Sequence, residues 1–331
     1  MRVEALHTAE ERSRLANAGS LPSFDAAQIA EHGADLHLCA LDDRSAVQAH
    51  CSLWWRDAPP HGAHRVGVIG HYASAGDEAA ASLLQAAIET LREQACTLAV
   101  GPMDGNTWRR YRFVTEAGPE PPFFLEPQNP PEWPLQFERA GFTPLAHYFS
   151  ALNSDLSQVD RRTARVAERM DRLGVRIHPV EKSGLAEQLG RIYRVSQIAF
   201  ARNFLYTELP EAAFVAQYSK LLSQIRPELL LVAERGEELA GYAFAIPDLA
   251  QAVRGQAIDT FLIKTVAILP DAGVAGLGGL LVERVQDAGR RMGFRRCIHA
   301  LMFDGNVSRN ISRHYATSMR RYSLFSRELQ P

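Results

Sequence analysis

Several things are scarce in this chain of 331 residues. There are four cysteines, Cys39, Cys51, Cys96 and Cys297, and no two form a CxxC pair. Neither a disulfide framework nor a thiolate zinc site is expected, and all four read as small buried hydrophobes. No apolar run approaches the roughly 20 residues needed to cross a bilayer. The first segment, MRVEALHTAEERSRL, is charged and lacks the apolar stretch of a secretory signal, so a cytoplasmic protein is expected. A surplus of one charge is missing too. Lys and Arg number 36 against 38 Asp and Glu, a net −2, which argues against DNA or an anionic membrane as partner. The eleven histidines are scattered. His61 and His64 sit in the loop APPHGAHR without an acidic or cysteine neighbour, and no metal site is expected.

The length exceeds what one hydrophobic core comfortably serves, so two domains are expected. One order of elements occurs twice. In the first half, DLHLCALDD, VQAHCSLWWR and RVGVIGHYA alternate like strands. A helix over Asp77 to Gln94 follows, with Ala80, Leu83, Leu84, Ala87, Ile88 and Leu91 at helical spacing, and then the short strand TLAVGPM. In the second half, ELLLVAER turns through GEE into LAGYAFAIPD, a hairpin. The strand DTFLIKTVAIL stops at Pro270, a helix covers about Gly276 to Met292, and RRCIHALMF closes the series. Strand, strand, strand, helix, strand is thus repeated. Residues 154–174 read as a polar linker helix capped by Ser157 or Asp155 and stopped by Gly174. Its arginines 161, 162, 165, 169 and 172 are either solvated partners of Asp160, Glu168 and Asp171 or contacts to ligand phosphates. Two further helices are expected over Glu181 to Phe200 and Glu208 to Leu222.

The segment TVAILPDAGVAGLGG, residues 265–279, carries the most chemistry. A buried strand runs into a turn with Gly273, Gly276, Gly278 and Gly279, and an apolar helix begins there. Backbone N–H groups without side chains, beside a helix N-terminus, suit a pyrophosphate. The turn is not a Walker loop, since no Gly-Lys-Ser/Thr follows, and no GxGxxG precedes an acidic ribose ligand. Close helix–strand packing explains the glycines as well.

The turn resembles the acyl-CoA motif of the GNAT N-acetyltransferase superfamily at Pro270, Gly276 and Gly278, and departs from it at Gly273, where that family has Arg or Gln, and at Val274. Further along, GPMDGNTW (101–108), PPFFLEPQNPPEW (121–133), RAGF (139–142) and ELLLVAERGEELAGYAFAIPDLAQA (228–252) are similar, in order, to bacterial tandem GNAT proteins of the YghO type. The resemblance implies an α/β (α+β) chain of two tandem GNAT-like domains, each a mixed, mostly antiparallel sheet flanked by helices. The expected division is a degenerate N-terminal domain over 1–153, the linker helix, and an acyltransferase domain over 175–331. The implied reaction is acyl transfer from acetyl-CoA or another acyl-CoA to a small amine or amino-acid-type acceptor.

On the same resemblance, Val266, Ala267 and Ile268 offer backbone groups to the pantetheine arm. Gly273, Val274, Ala275, Gly276, Leu277, Gly278 and Gly279 cradle the pyrophosphate, and Asn306 contacts the pantetheine or caps a turn. The general acid is a tyrosine about seven residues after the Asn, but position 313 is Arg, and Tyr315 is the nearby aromatic. Tyr322 looks like part of the last strand, while His314 and Asp259 are weaker candidates for a base. The loop GPMDGNTWRRYR offers Asp104, Asn106 and Trp108 to an acceptor. Two other readings stay open: a non-catalytic acyl-CoA-binding scaffold, and a transferase using aminoacyl-tRNA, suggested by the basic RRMGFRR and arginines 309, 313, 320 and 321. The chain is expected as a monomer or homodimer.

Overall fold

A computed structural model describes residues 1–16, 21, 26–181, 184–270, 272–305 and 311–330. The first half runs β1 (Arg2–Leu6), α1 (Ala9–Ala16), α2 (Ala26–Glu31), β2 (Leu36–Leu41), β3 (Val47–Trp54), β4 (Val66–Ser74), α3 (Asp77–Glu93) and β5 (Leu98–Gly101). It continues with β6 (Phe113–Glu116), α4 (Glu132–Arg139) and β7 (Thr143–Asn153). After helix α5 (Arg161–Arg172), the second half runs β8 (Val175–Pro179), α6 (Leu185–Phe200), α7 (Glu211–Ser219), β9 (Leu230–Arg235) and β10 (Glu238–Pro247). It ends with α8 (Leu249–Val253), β11 (Thr260–Ile268), α9 (Leu277–Arg291), β12 (Arg296–Phe303) and β13 (Thr317–Glu328).

The elements follow from the patterns in the sequence. Helix α3 buries Ala80, Leu83, Leu84, Ala87, Ile88 and Leu91, the stripe its spacing prescribes. Helix α5 begins one residue after Asp160, whose side chain accepts from Arg162 N; the cap is therefore Asp160 rather than Ser157 or Asp155. Gly174 ends the segment at φ 71°, a left-handed conformation natural to glycine.

All thirteen strands among the described residues join one sheet, ordered β1-β2-β3-β4-β5-β13-β7-β12-β11-β10-β9-β8, with β6 on β13. Only β4–β5 and β11–β12 are parallel. The two halves exchange their last strands. Strand β7, which ends the first half, pairs with β12 of the second, and β13, which ends the second, pairs with β5 of the first. The exchanged strands also pair with each other, from Thr143↔Ser326 to Leu152↔Thr317. Helix α3 packs on one face of the first half; α9 and α5 cover one face of the second, and α6 and α7 the other.

A buried polar cluster locks the exchanged strand. Arg320 and Tyr322 of β13 both reach the carboxylate of Glu126: Arg320 Nη1 donates at 3.2 Å to Oε2, and the Tyr322 hydroxyl donates to Oε1. The Glu126 side chain is fully buried and that of Arg320 nearly so. Tyr322 also meets Ser150 Oγ of β7 at 3.0 Å.

Two outcomes are expected. Residues 175–331 expressed alone lack the partner strand of β12 and should not form a folded monomer by size exclusion and circular dichroism; a stable monomer would show the exchange to be dispensable. Glu126→Ala leaves Arg320 buried without its counter-charge and should cost roughly 3–5 kcal/mol in chemical denaturation.

Candidate active site

The parallel pair β11–β12 opens partway along its length. Its ladder runs from Thr260↔Arg296 to Ile263↔His299 and stops. On its other side β11 stays paired with β10 as far as Gly241↔Ile268. Between Phe244↔Thr265 and Ala245↔Ile263 the register shifts, leaving Lys264 as the extra, bulged residue. Strand β12 diverges here, with Leu301 at φ 58° and its N–H donated to Ser150 Oγ of β7. Among the described residues, the β12-facing edge of 264–268 has no backbone ladder. A free edge of this kind accepts an extended ligand as an added strand.

The glycine turn lies at the end of that edge. Val274 is buried and Leu277 N donates to its carbonyl, so the Val274 side chain belongs to the core. Gly276 caps α9 at φ 83°, with Val166 and Arg169 of α5 packed over it. Gly278 faces Ile268, Val266 and Ile311, and a Cβ there would stand 3.4 Å from Ile311. Cβ atoms at Gly273 and Gly279 would meet nothing within 4 Å, so the backbone is approachable there. Arg169 of α5 donates to the Ala275 carbonyl and brings a guanidinium to the turn that itself lacks one.

The corresponding opening in the first half is stitched shut. The β4–β5 ladder ends at Val68↔Val100, and the register of β3–β4 shifts between Ser52↔Gly70 and His50↔Ala73. Met103 N then donates to Ile69 O at 2.9 Å, and His71 N donates to Asp104 Oδ1 at 2.7 Å. Gly70 is packed so closely on this crossing that a Cβ would lie 1.9 Å from the Met103 carbonyl oxygen. Helix α3 places Asp77 and Glu78 in its first turn, where negative charge repels an anion.

Between the two openings lies one cavity of about 1040 Å³. Its walls include Arg109, Arg110 and Arg112 from the first half and Lys264, His299 and Ser312 from the second. Arg112 stacks over the rings of Tyr111 and Tyr148 at 3.9 and 4.1 Å and donates to Leu301 O. Lys264 has no acidic partner among the described residues; burial, then the nearby Arg112 charge, push its ammonium down to about 8. His299 shares a 3.0 Å hydrogen bond with Ser312 through Nδ1, and burial lowers its ring to about 4, so it stays neutral.

The residues singled out in the sequence divide clearly. Val266 lines the cavity, with Ala267 and Ile268 following on the same free edge. Asp104 and Trp108 reach the cavity, whereas Asn106 caps a local turn by accepting from Trp108 N. The Trp108 indole donates to Thr207 O and packs on Phe200, Tyr206 and Phe214. Tyr315 is not among the cavity-lining residues. Its hydroxyl donates to Glu283 Oε2 at 3.2 Å, on the α5 side of α9, and burial followed by the Glu283 charge raises its phenol well above the usual range. Tyr322 lies in β13, Asp259 holds Gln251 and Thr260, and Asn306 lies outside the described residues. Sequence reading passed over Lys264, Arg112 and His299. The available signal was a lone charge inside the otherwise apolar strand TFLIKTVAI.

No protein-family model and no curated protein matches the chain. Solved structures do. A GCN5-related N-acetyltransferase from Sphaerobacter thermophilus superposes with a TM-score of 0.52 at 14% identity, over 99% of this chain and 96% of that one. A tandem GNAT protein from the clavulanic acid biosynthesis pathway gives 0.52 at 13%, over 100% and 99%. The chain has the tandem GNAT fold. The glucosamine N-acetyltransferase region of a fungal multi-domain β-N-acetylglucosaminidase gives 0.56 at 14% over 98% of this chain, which spans only 38% of that larger protein. Within the GNAT fold, the exchanged strands and the single open splay are the features that place the cavity. No helix among the described residues is long and apolar enough to cross a membrane.

Tyr315→Phe should cost about 0.5–1.5 kcal/mol in urea denaturation through loss of the Glu283 hydrogen bond, and should leave any transfer rate unchanged. A lost rate with unchanged stability would return Tyr315 to the chemistry.

Proposed function

We propose that the chain is an acyl-CoA-dependent N-acyltransferase, with the donor held by residues 175–331 and the acceptor side shaped by residues 1–153 across the 154–174 linker. The observation that carries this is the unpaired edge of residues 264–268 beside the glycine-rich entrance to α9, together with closure of the equivalent opening in the first half. The donor's fit is supported by bare backbone at Gly273 and Gly279 and by Arg169 at the turn. In this reading the Arg169 guanidinium takes the part of the side chain absent at Gly273.

The thioester supplies the acyl group: the acceptor nitrogen forms the new C–N bond, the C–S bond breaks, and the thiolate leaves with the nitrogen's proton. The chain's own contribution is positional. The strand edge fixes the reacting carbonyl, and the backbone amides at the bulge donate to it. Lys264 and Arg112, two cations without acidic partners among the described residues, favour an acceptor that carries a carboxylate, as an amino acid does.

Four outcomes are expected. Gly279→Asp adds a carboxylate at an unstrained helical position and should abolish acetyl-CoA binding by calorimetry with the melting temperature nearly unchanged; undiminished binding would place the pyrophosphate elsewhere. Arg169→Ala should weaken acetyl-CoA by roughly tenfold or more, the loss expected for a charged hydrogen bond. Lys264→Met should raise the KM of carboxylate-bearing amines about tenfold with acetyl-CoA affinity intact. For the same reason, KM in the unaltered protein should climb as pH rises through about 8, where the ammonium loses its proton; a flat KM would remove Lys264 from acceptor recognition.

A further inference from the structure

At the first-half end of the cavity three side chains from separate segments converge: His32 after α2, His71 on the β4 bulge, and Asp104 after β5. We infer that His32 Nδ1, His71 Nε2 and Asp104 Oδ2 form a binding site for a first-row divalent cation of the zinc type.

The ligand atoms all lie within 4.8 Å of one another. Nδ1 of His32 and Nε2 of His71 are 2.7 Å apart, and His71 Nε2 stands 4.0 Å from Asp104 Oδ2. A tetrahedral ion with bonds of about 2.0–2.1 Å separates its ligands by roughly 3.3 Å, so the His32–His71 contact must open by about 0.6 Å and the His71–Asp104 contact close by about 0.7 Å, with the third pair, within 4.8 Å, drawn in to match.

What distinguishes the cluster from an ordinary polar network is how the remaining atoms are held. The second nitrogen of His71, Nδ1, bonds Ser52 Oγ at 2.9 Å, and that hydroxyl is in turn 2.7 Å from His37 Nδ1. Asp104 Oδ1 is taken by His71 N, which leaves Oδ2 for the centre. The backbone of His32 is clamped at its carbonyl by Trp54 Nε1 at 2.9 Å and Arg109 Nη1 at 2.8 Å. Outer partners that fix the tautomer and aim of each ligand are the usual companions of a metal site. His71 holds its place at φ 46°, an uncommon conformation for a side-chain-bearing residue.

Two imidazoles and one carboxylate favour zinc, cobalt or nickel over magnesium or calcium, which prefer oxygen. His32 and Asp104 line the cavity, so a coordination position opens toward it, as in sites that bind a ligand directly. The competitor is Arg110, whose Nε lies 3.5 Å from Asp104 Oδ2; its side chain is 41% exposed and free to swing outward.

The test uses the full chain, dialysed against chelator and titrated with cobalt(II) while tetrahedral d–d bands are followed, with zinc stoichiometry measured by elemental analysis. One ion per chain is expected. The bands should be lost in His32→Gln and in Asp104→Asn, which keeps the acceptor for His71 N, with both variants checked for unaltered melting. Ser52→Ala should weaken binding about ten- to a hundredfold, Arg110→Ala should tighten it, and His61→Ala, at the half-buried histidine of the 57–64 loop, should change nothing. Absence of the bands in the unaltered protein, or bands that survive both ligand variants, would overturn the site and leave the cluster as hydrogen bonding alone. The outcome is independent of acyl transfer.

Discussion

The pairing of β7 with β13 is the constraint on which the rest of the molecule depends. Each strand ends one half of the chain and lies against the other half's sheet, so neither half completes its own ladder. Backbone N–H and C=O groups in a buried strand must find partners, and here those partners belong to the other half. The exchange also positions Ser150 of β7 to take the N–H of Leu301 where β12 leaves β11. Opening of the second splay is thus coupled to the seam. The Glu126–Arg320–Tyr322 cluster then ties the 120–126 loop to the same seam.

One fold repeated twice has two opposite outcomes. In the second half the bulge carries Lys264 and the strand edge beyond it stays open. In the first half the bulge carries His71, and the edge is closed by Met103 on Ile69 and by Asp104 on the His71 amide. A glycine at position 70 permits that closure, because any side chain would strike the Met103 carbonyl. The helix entrances differ in the same sense. Helix α9 begins with Leu277, Gly278 and Gly279 and has no acid in its first turn, while α3 begins with Asp77 and Glu78. Both bulge regions nevertheless border one cavity, so the closed half contributes side chains rather than a second donor site.

Much of this was legible in the sequence. Period-two and period-3.6 patterns place β2 to β5, α3, β9 to β12 and α9 within a residue or two, because each buries one face or one stripe. The turn glycines mark the α9 entrance for the same local reason. The strand exchange was not legible, since chain order is silent about which neighbour a terminal strand will choose. The cap of α5 fell on Asp160 because the segment before it folds back on Asp155 instead of continuing the helix. Lys264 was visible as a charge amid apolar residues, yet only the bulge shows why it is there. His32, His71 and Asp104 come from three distant segments, and nothing in their spacing predicts that they meet.

Amide hydrogen exchange with and without acetyl-CoA tests the central claim most directly. Donor binding along the open edge should slow exchange in residues 264–268 and 277–280 and leave residues 69–74 unchanged, because their partners are already in place. Protection of residues 69–74 with none in 264–268 would contradict the account.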